Sequence, residues 1–363
     1  MCWVEAMTLE PIIRSVEAGN RLGVEEAAFL FRQAPLEVLG RLADGIRAAK
    51  NGSRATYVLN RYLNYSNICI LSCQFCSFYR RKRDPDAFQF AIPEMVAKAR
   101  ESLADGITEI HIVGGLHPSL PFDYYTGMLR ELKALDPRLS LKAFTAIEIR
   151  HLAERVHKRP IPETLEALAD AGLDALTGGG AEIFDPAVRD RICRGKETAE
   201  EWLEVHRIWH RMGHRSTCTM LYGHVETVEQ RFRHLELLRA LQDETGGFTA
   251  LVPYAFEPEH NELGHLRRVS ALEELRMLAL CRIFLDNFDH LTAYWISTGL
   301  PLAQVALAYG VDDLHGTIVE EKIFHMAGAK TPAGQTREKL ERAIREAGRV
   351  PVQRDTVYQA VEA

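Results

Sequence analysis

Residues 67–80 read NICILSCQFCSFYR and carry three cysteines, Cys69, Cys73 and Cys76, at CxxxCxxC spacing. Three thiolates this close can each take one corner of an iron–sulfur cluster. A four-iron cubane has four corners, so three cysteines leave one iron without a protein ligand, the open position that substrate binding requires. Thiolate-rich ligation suits such clusters. The alternatives are a structural zinc site and a redox dithiol. Zinc takes a fourth ligand, commonly from a distant second pair, and no second CxxC stands in the chain. A redox dithiol has no use for the third cysteine. The segment begins on an expected strand, Tyr65–Ile68, which sets the cysteines just past a strand's C-terminal end.

On either side the rhythm is that of alternating strands and helices. Expected strands are Glu109–Val113, Ser140–Phe144, Ala175–Thr177, Ser216–Leu221, Thr249–Pro253 and Leu291–Ile296, with a shorter one near Gly316–Val319. Their spacing is what strand–helix units need. The fold class that follows is α/β, a (β/α) TIM-type barrel of six to eight units, whose chemistry sits at the C-terminal mouth of the strands. Pro93 opens one intervening helix and Gly106 closes it, and Pro162 and Gly172 do the same for another. Residues 1–55 read as a helical cap, with apolar residues at three-and-four spacing in 24–30 and 36–49. Residues 56–330 form the barrel. Residues 331–363 hold a helix, 336–347, followed by a polar tail.

Composition excludes several classes. A net charge of -6 gives no support to nucleic-acid binding. The run Arg80-Arg81-Lys82-Arg83 is followed at once by Asp84 and Asp86 and reads as a solvated loop before it reads as an anion patch. No apolar run reaches the ~20 residues that cross a bilayer. The first residues lack a basic leader followed by an apolar stretch, so a cytoplasmic enzyme is expected. The other cysteines, Cys2, Cys193, Cys218 and Cys281, are scattered and read as small hydrophobes.

Three further segments follow expected strands. In HIVGGLHPSLP, 111–121, Gly114 and Gly115 would let a ligand approach the backbone. TGGGAEIFDP, 177–186, puts Glu182 behind three glycines, either at the mouth or as a helix-start glutamate at a positive dipole end. KAFTAIEI, 142–149, has Lys142 and Glu148 flanking a strand end, as a structural ion pair or as a clamp for a substrate carboxylate. Arg191, Arg194 and Lys196 in RDRICRGK are open to the same two readings, and arginine suits bidentate carboxylate binding. No HExxH or similar metal spacing occurs among the fourteen histidines. His117, His224 and His325, beside Gly or at loops, are ordinary polar residues or hydrogen-bonding groups for a substrate.

The cysteine motif resembles that of the radical S-adenosylmethionine superfamily. The resemblance implies a [4Fe-4S] cluster on Cys69, Cys73 and Cys76, with S-adenosylmethionine chelated at the open iron. It implies that Phe75, before the last cysteine, lies against the adenine, and that Gly114 and Gly115 meet the amino group. Leu116 stands where an acidic residue usually follows those glycines, which leaves that contact to backbone carbonyls. Glu182 would bind ribose hydroxyls or the ammonium.

Longer strings narrow the resemblance: EIHIVGGLHPSLPFDYY, LKAFTAIEI, GGGAEIFDP, TMLYGHVE, LQDETGGFTALVPYAF, LDNFDH, AYWI, EEKIFHMAGA and VPVQRDTVY. Over nearly the whole chain they are similar to the aminofutalosine synthase family of the futalosine route to menaquinone. Departures are Phe88, where Tyr is expected, and Tyr254 with Glu257, where Leu and His are expected. The resemblance implies addition of a 5′-deoxyadenosyl radical to 3-[(1-carboxyvinyl)oxy]benzoate, rearrangement, and loss of bicarbonate to give 6-amino-6-deoxyfutalosine and methionine. S-adenosylmethionine is then consumed as a co-substrate, and a flavodoxin- or ferredoxin-type protein supplies the electron. The substrate's two carboxylates call for a basic group, with Lys142, Arg194 and His117 as candidates. The neighbouring readings are the sister cyclase acting on dehypoxanthine futalosine, more distant enzymes making deazaflavin or thiazole precursors, and a non-catalytic iron–sulfur sensor. A sensor has no need of a barrel with several glycine-rich mouths.

Overall fold

The computed structural model describes residues 7–361, so Cys2 lies outside the described residues. Among the described residues there are ten strands: β1 (Arg54–Val58), β2 (Asn60–Leu63), β3 (Glu109–Ile112), β4 (Ser140–Ala143), β5 (Ala175–Leu176), β6 (Arg215–Tyr222), β7 (Phe248–Ala255), β8 (His290–Leu291), β9 (Asp313–Gly316) and β10 (Val350–Gln353). β2 to β8 pair in chain order as one sheet, every pair parallel. Helices fill the connections, as parallel crossovers demand.

β9 closes the ring. A parallel bridge joins Thr292 to Asp313, and Ala293 N–H donates to the Asp313 carbonyl at 2.9 Å. On its other edge β9 pairs with β1, which runs into β2 across Leu59 alone. Thr317 N–H donates to the Val58 carbonyl at 3.1 Å, and Tyr62 N–H to the Ile318 carbonyl at 2.9 Å. Backbone hydrogen bonds therefore pass all the way round, and the TIM-type fold expected from the sequence is present.

Several expectations need correction: the strand expected at 291–296 stops at Leu291, with Trp295 and Ile296 opening a short helix, and the one expected near 316–319 ends at Gly316. The first barrel strand is Asn60–Leu63, and the expected strand Tyr65–Ile68 makes only single bridges, Ser66 to Gln89 and Ile68 to Arg80. Asn60 and Tyr62 point polar atoms into the lumen, which broke the apolar signal. The polar tail also holds β10, parallel to β1 with Arg54 opposite Val350. Its shortness and Pro351 hid a strand whose partner is at the other end of the chain.

Alternation along the strands sorts the core. Ile110, Ile112 and Leu141 are fully buried and face the helices. Glu109, His111 and Lys142 occupy the alternate positions and face the lumen. Outside, α1 (Leu9–Glu17), α2 (Val24–Gln33) and α3 (Leu36–Asn51) match the expected helical segments. α2 packs on helix Val228–Thr245 and α3 on helix Ala271–Phe284. Among the described residues no helix is long and apolar enough to cross a membrane.

Candidate active site

Past Leu63 the chain enters no helix or strand until Ile92, yet the intervening segment is firmly tied. Cys69 N–H donates to the Arg80 carbonyl at 3.0 Å and Arg80 N–H to the Asn67 carbonyl at 2.7 Å. Ile70 N–H reaches Leu116, Gln74 N–H reaches Ile192, and Gly115 N–H reaches Ser66, at 2.8–3.0 Å. The Asn67 side chain donates to the Asp86 carbonyl and accepts from Phe88 N–H. Cys69, Cys73 and Cys76 are unpaired and half-buried on the wall of one cavity of about 290 Å³.

The donor set fits a cluster. Backbone N–H groups of Leu71 and Leu116 each point at Cys69 Sγ at 3.4 Å. Burial pushes the Cys76 thiol up, while N–H groups of Tyr79 and Phe78 oppose that rise. Burial pushes Cys73 up too, with the Lys196 ammonium opposing. Those donors and that cation offset part of the rise, and burial remains the larger effect. Among the described residues no three His, Cys, Asp or Glu side chains converge as a single metal ion needs. Three cysteines on one cavity wall suit a multi-iron cluster, each on its own corner.

The glycines close the same wall. A side chain at Gly114 would meet the Tyr65 ring at 2.5 Å, and one at Gly115 would run into the Ile68 carbonyl. One at Gly178 would fall 2.5 Å from Cys218 Cα. Their smallness is thus spent first on close packing within the protein, although Gly114, Gly115 and Gly178 to Gly180 also line the cavity. Gly114 N–H is taken by Glu148 at 3.1 Å. Glu148 also accepts from Tyr65 Oη at 2.8 Å and from the amide and hydroxyl of Thr145 at 2.8 Å. It is therefore a fixed post that aligns three segments, and it makes no pair with Lys142.

Glu182 lies buried beside the cysteines, at φ 46°, with Lys196 Nζ 2.6 Å from its carboxylate. Lys196 also stands 5.6 Å from the Phe75 ring centre. Burial pushes the Lys196 ammonium down, but Glu182 and Glu197 outweigh it and hold it well above its ordinary value. Phe75, Glu182 and Lys196 thus form one polar-edged face next to Cys73.

Deeper lies the floor. Tyr62, His111 and Lys142 are register partners on β2, β3 and β4 and form a row across the lumen. Tyr62 stacks on His111, ring centres 4.3 Å apart, and its hydroxyl meets His315 Nε2 at 3.3 Å. Burial holds both His111 and His315 down at about 3, so each is neutral near pH 7. Burial also lowers Lys142. Beneath this row Arg354 of the tail grips Asp313 at 2.6 and 3.1 Å. Glu109 accepts from Asn60 and Thr356 at 2.9 Å. Burial pushes Glu109 up, but Lys142 and Arg354 outweigh it and hold it at about 2. Above the floor, Tyr254, Tyr294 and Phe324 form a cage with ring centres 5.3–6.1 Å apart.

Of the residues expected from sequence, the cavity wall includes all three cysteines, Phe75, Gly114, Gly115, Lys142 and Glu182. Arg194 and His117 lie away from that wall. Arg194 is 80% exposed and pairs with Asp190 one helical turn back, both distances 3.0 Å, so it points to solvent. The turn at Gly195 sends Lys196 inward in its place. His117 is off the cavity wall: its Nδ1 accepts from Ser119 and Leu120 N–H, and its carbonyl meets His151 Nε2 at 3.1 Å. It fixes the turn that runs through Pro118 to Leu120. His224 is occupied by Glu226 and the Leu221 carbonyl, and His325 by Glu321 and the Thr331 carbonyl. Sequence reasoning missed Tyr62, His111, Tyr294, His315 and Glu321. The signal was present in Glu109-Ile110-His111-Ile112. Strict alternation in a barrel strand, whose outer face is covered by helices, puts the polar half in the lumen.

Residues 63–238 match the model of the radical SAM superfamily, and residues 245–363 match that of the CofH/MqnC C-terminal region. The chain is 45% identical over 357 residues to an aminodeoxyfutalosine synthase of Thermus thermophilus, covering 97% of this chain and 96% of that one. It is 38% identical over 359 residues to a cyclic dehypoxanthine futalosine synthase of Streptomyces coelicolor, covering 98% and 89%. Among solved structures, a methylornithine synthase shares the fold with a TM-score of 0.71 at 16% identity, over 94% of this chain and 97% of that chain. The cysteine-bearing mouth, the closed parallel barrel and these whole-length likenesses agree: the chain belongs to the radical SAM superfamily, in the family of the aminodeoxyfutalosine synthases and their CofH/MqnC relatives.

Proposed function

We propose that this enzyme joins the adenosyl group of S-adenosylmethionine to 3-[(1-carboxyvinyl)oxy]benzoate. The products are 6-amino-6-deoxyfutalosine, methionine and bicarbonate, the last formed from the lost carboxyl carbon and water. One observation carries the reading: a single cavity joins the three cysteines at the mouth to an aromatic-walled polar floor. Identity along nearly the whole chain is higher to the synthase, 45%, than to the cyclase, 38%, which favours the former.

A [4Fe-4S] cluster on Cys69, Cys73 and Cys76 supplies, when bound, the electron that splits S-adenosylmethionine into methionine and the 5′-deoxyadenosyl radical. The chain's own residues bind, orient and shield. Phe75 offers a face to the adenine. Glu182, held by Lys196, offers a fixed carboxylate for hydroxyl or ammonium groups. Gly114 and Gly115 keep the wall free of side chains. The barrel and its aromatic cage keep water and stray hydrogen donors from a reactive species. The electron comes from a flavodoxin- or ferredoxin-type donor. Residues 1–55, 56–330 and 331–363 serve as cap, barrel and floor-sealing tail.

The test is incubation of the anaerobically reconstituted enzyme with dithionite, S-adenosylmethionine and the enolpyruvyl benzoate, followed by mass spectrometry. Aminofutalosine formed by the wild type and absent with Cys73→Ala supports both cofactor and reaction. Release of 5′-deoxyadenosine alone overturns the synthase assignment and points to the cyclase reaction or another substrate.

A further inference from the structure

Resting on the functional reading above for the identity of the ligand, we propose that the cavity floor is a carboxylate subsite for an aromatic acid. Lys142 is its charge partner and His111 its second donor. The ring lies among Tyr62, Tyr254, Tyr294 and Phe324, and the ligand's other end faces the cysteines.

The floor carries four charges, and three of them make hydrogen bonds or ion pairs within the protein. Arg354 is held by Asp313, and Glu109 by Asn60 and Thr356. Lys142 is 3% exposed, yet among the described residues its Nζ has no hydrogen-bond or ion-pair partner, and it lines the cavity. Glu109 balances its charge from below without contacting it, so the ammonium's N–H donors remain open to a carboxylate in the cavity. His111 stands beside it in register, with its ring plane fixed by Tyr62 and its Nδ1 buried without a partner. A neutral imidazole there donates one N–H without adding charge.

The surrounding charges limit what can bind. Glu109 and Asp313 lie under Lys142 and Arg354, so the four groups cancel. One ammonium and one neutral donor suit a monoanion, and the two carboxylates beneath oppose a dianion such as phosphate. The cage adds shape. Tyr254 and Tyr294 pack against Phe324 at 5.4 and 5.3 Å, and all three line the cavity as an aromatic wall on which a ligand ring can lie. Lys142 and His111 lie on β4 and β3, below the segment that carries the cysteines. A ligand anchored by its carboxylate therefore presents its opposite end to the mouth.

The experiment is calorimetric titration of the reconstituted full chain with 3-methoxybenzoate, its methyl ester and inorganic phosphate. Wild type should bind the acid about tenfold or more tightly than the ester, and phosphate should not displace it. Lys142→Met should erase the acid-over-ester preference, and Lys142→Arg, which keeps the charge, should restore part of it. Equal binding of acid and ester, displacement by phosphate, or a preference that survives Lys142→Met would each overturn the subsite. If Lys142→Met does not fold, as read from cluster absorbance and thermal midpoint, the acid-to-ester ratio in wild type and Lys142→Arg decides. Failure of the functional reading looks different: the preference persists while no aminofutalosine forms.

Discussion

The mouth and the floor of this barrel are built in opposite ways. At the mouth, one continuous segment supplies all three cysteines, and main-chain hydrogen bonds to Asn67, Leu116 and Ile192 hold it. At the floor, the groups come from β2, β3, β4, β9 and the tail, and side chains do the holding: Arg354 on Asp313, Thr356 and Asn60 on Glu109. The mouth keeps its shape largely through main-chain bonds, with the Asn67 and Glu148 side chains as its fixed posts. The floor cannot lose one partner without leaving a buried charge behind.

The sharpest break of that contrast is at the mouth's chemistry. Cys73→Ala should abolish cluster absorbance and all cleavage of S-adenosylmethionine while the thermal midpoint of the metal-free protein stays near wild type. A collapse of the fold in that variant would show that the loop depends on side chains after all. Next in size, Arg354→Met should lower unfolding free energy by about 3–5 kcal/mol in denaturant titrations, because Asp313 is then buried and unpaired. A loss under about 1 kcal/mol would mean the floor is wetter than its burial implies.

Smaller effects sharpen the comparison. Lys196→Met leaves Glu182 without its 2.6 Å partner. It should raise KM for S-adenosylmethionine roughly tenfold, about 1.4 kcal/mol, measured by 5′-deoxyadenosine release. An unchanged KM would take the Glu182–Lys196 pair out of the binding site. The smallest effect concerns the segment that carries Phe324. The Glu321 hydrogen bond, against the opposing effect of burial, holds His325 up at about 9 from its ordinary 6.5. A group raised on folding stabilises fully below pH 6.5, and that contribution is lost as pH rises through about 9. Because His325 is partly exposed, the contribution is held to about 1 kcal/mol. Hydrogen exchange across residues 320–335 should speed up between pH 7 and 9 beyond its intrinsic pH dependence. His325→Gln should remove that extra acceleration, and a wild type without it would exclude the ion pair as the cause.

What the sequence disclosed follows the same division. The cysteine triad was legible because its residues are neighbours in the chain and few chemistries use that spacing. Helix ends were legible from Pro93, Gly106, Pro162 and Gly172. Lys142 was visible as a basic residue near a strand end, whereas Arg194 was drawn from the same kind of signal and faces solvent. The difference lies in which way the turn at Gly195 sends the chain, a tertiary fact. His111, Tyr294 and His315 were passed over because each stands alone in its local sequence and becomes a group only when the ring closes. Tyr254, which departs from the family pattern, turned out to be part of the aromatic cage. The strand in the tail was hidden because it has only four residues, Val350–Gln353, carries Pro351, and finds its partner β1 about three hundred residues earlier in the chain.

The pairing of Arg54 with Val350 has a bearing on biosynthesis. A ribosome delivers the cysteine segment early, when β9 and the tail do not yet exist. Until they emerge, the nascent sheet is an open crescent with Glu109, His111 and Lys142 bare to water and its first strand unpaired on one edge. Closure is a late, non-local event of the kind that is slow and exposes edges to wrong partners. Assembly of an oxygen-sensitive centre on those thiolates is then best deferred until the last strand has docked, which makes the far end of the chain the gatekeeper of a motif near its beginning.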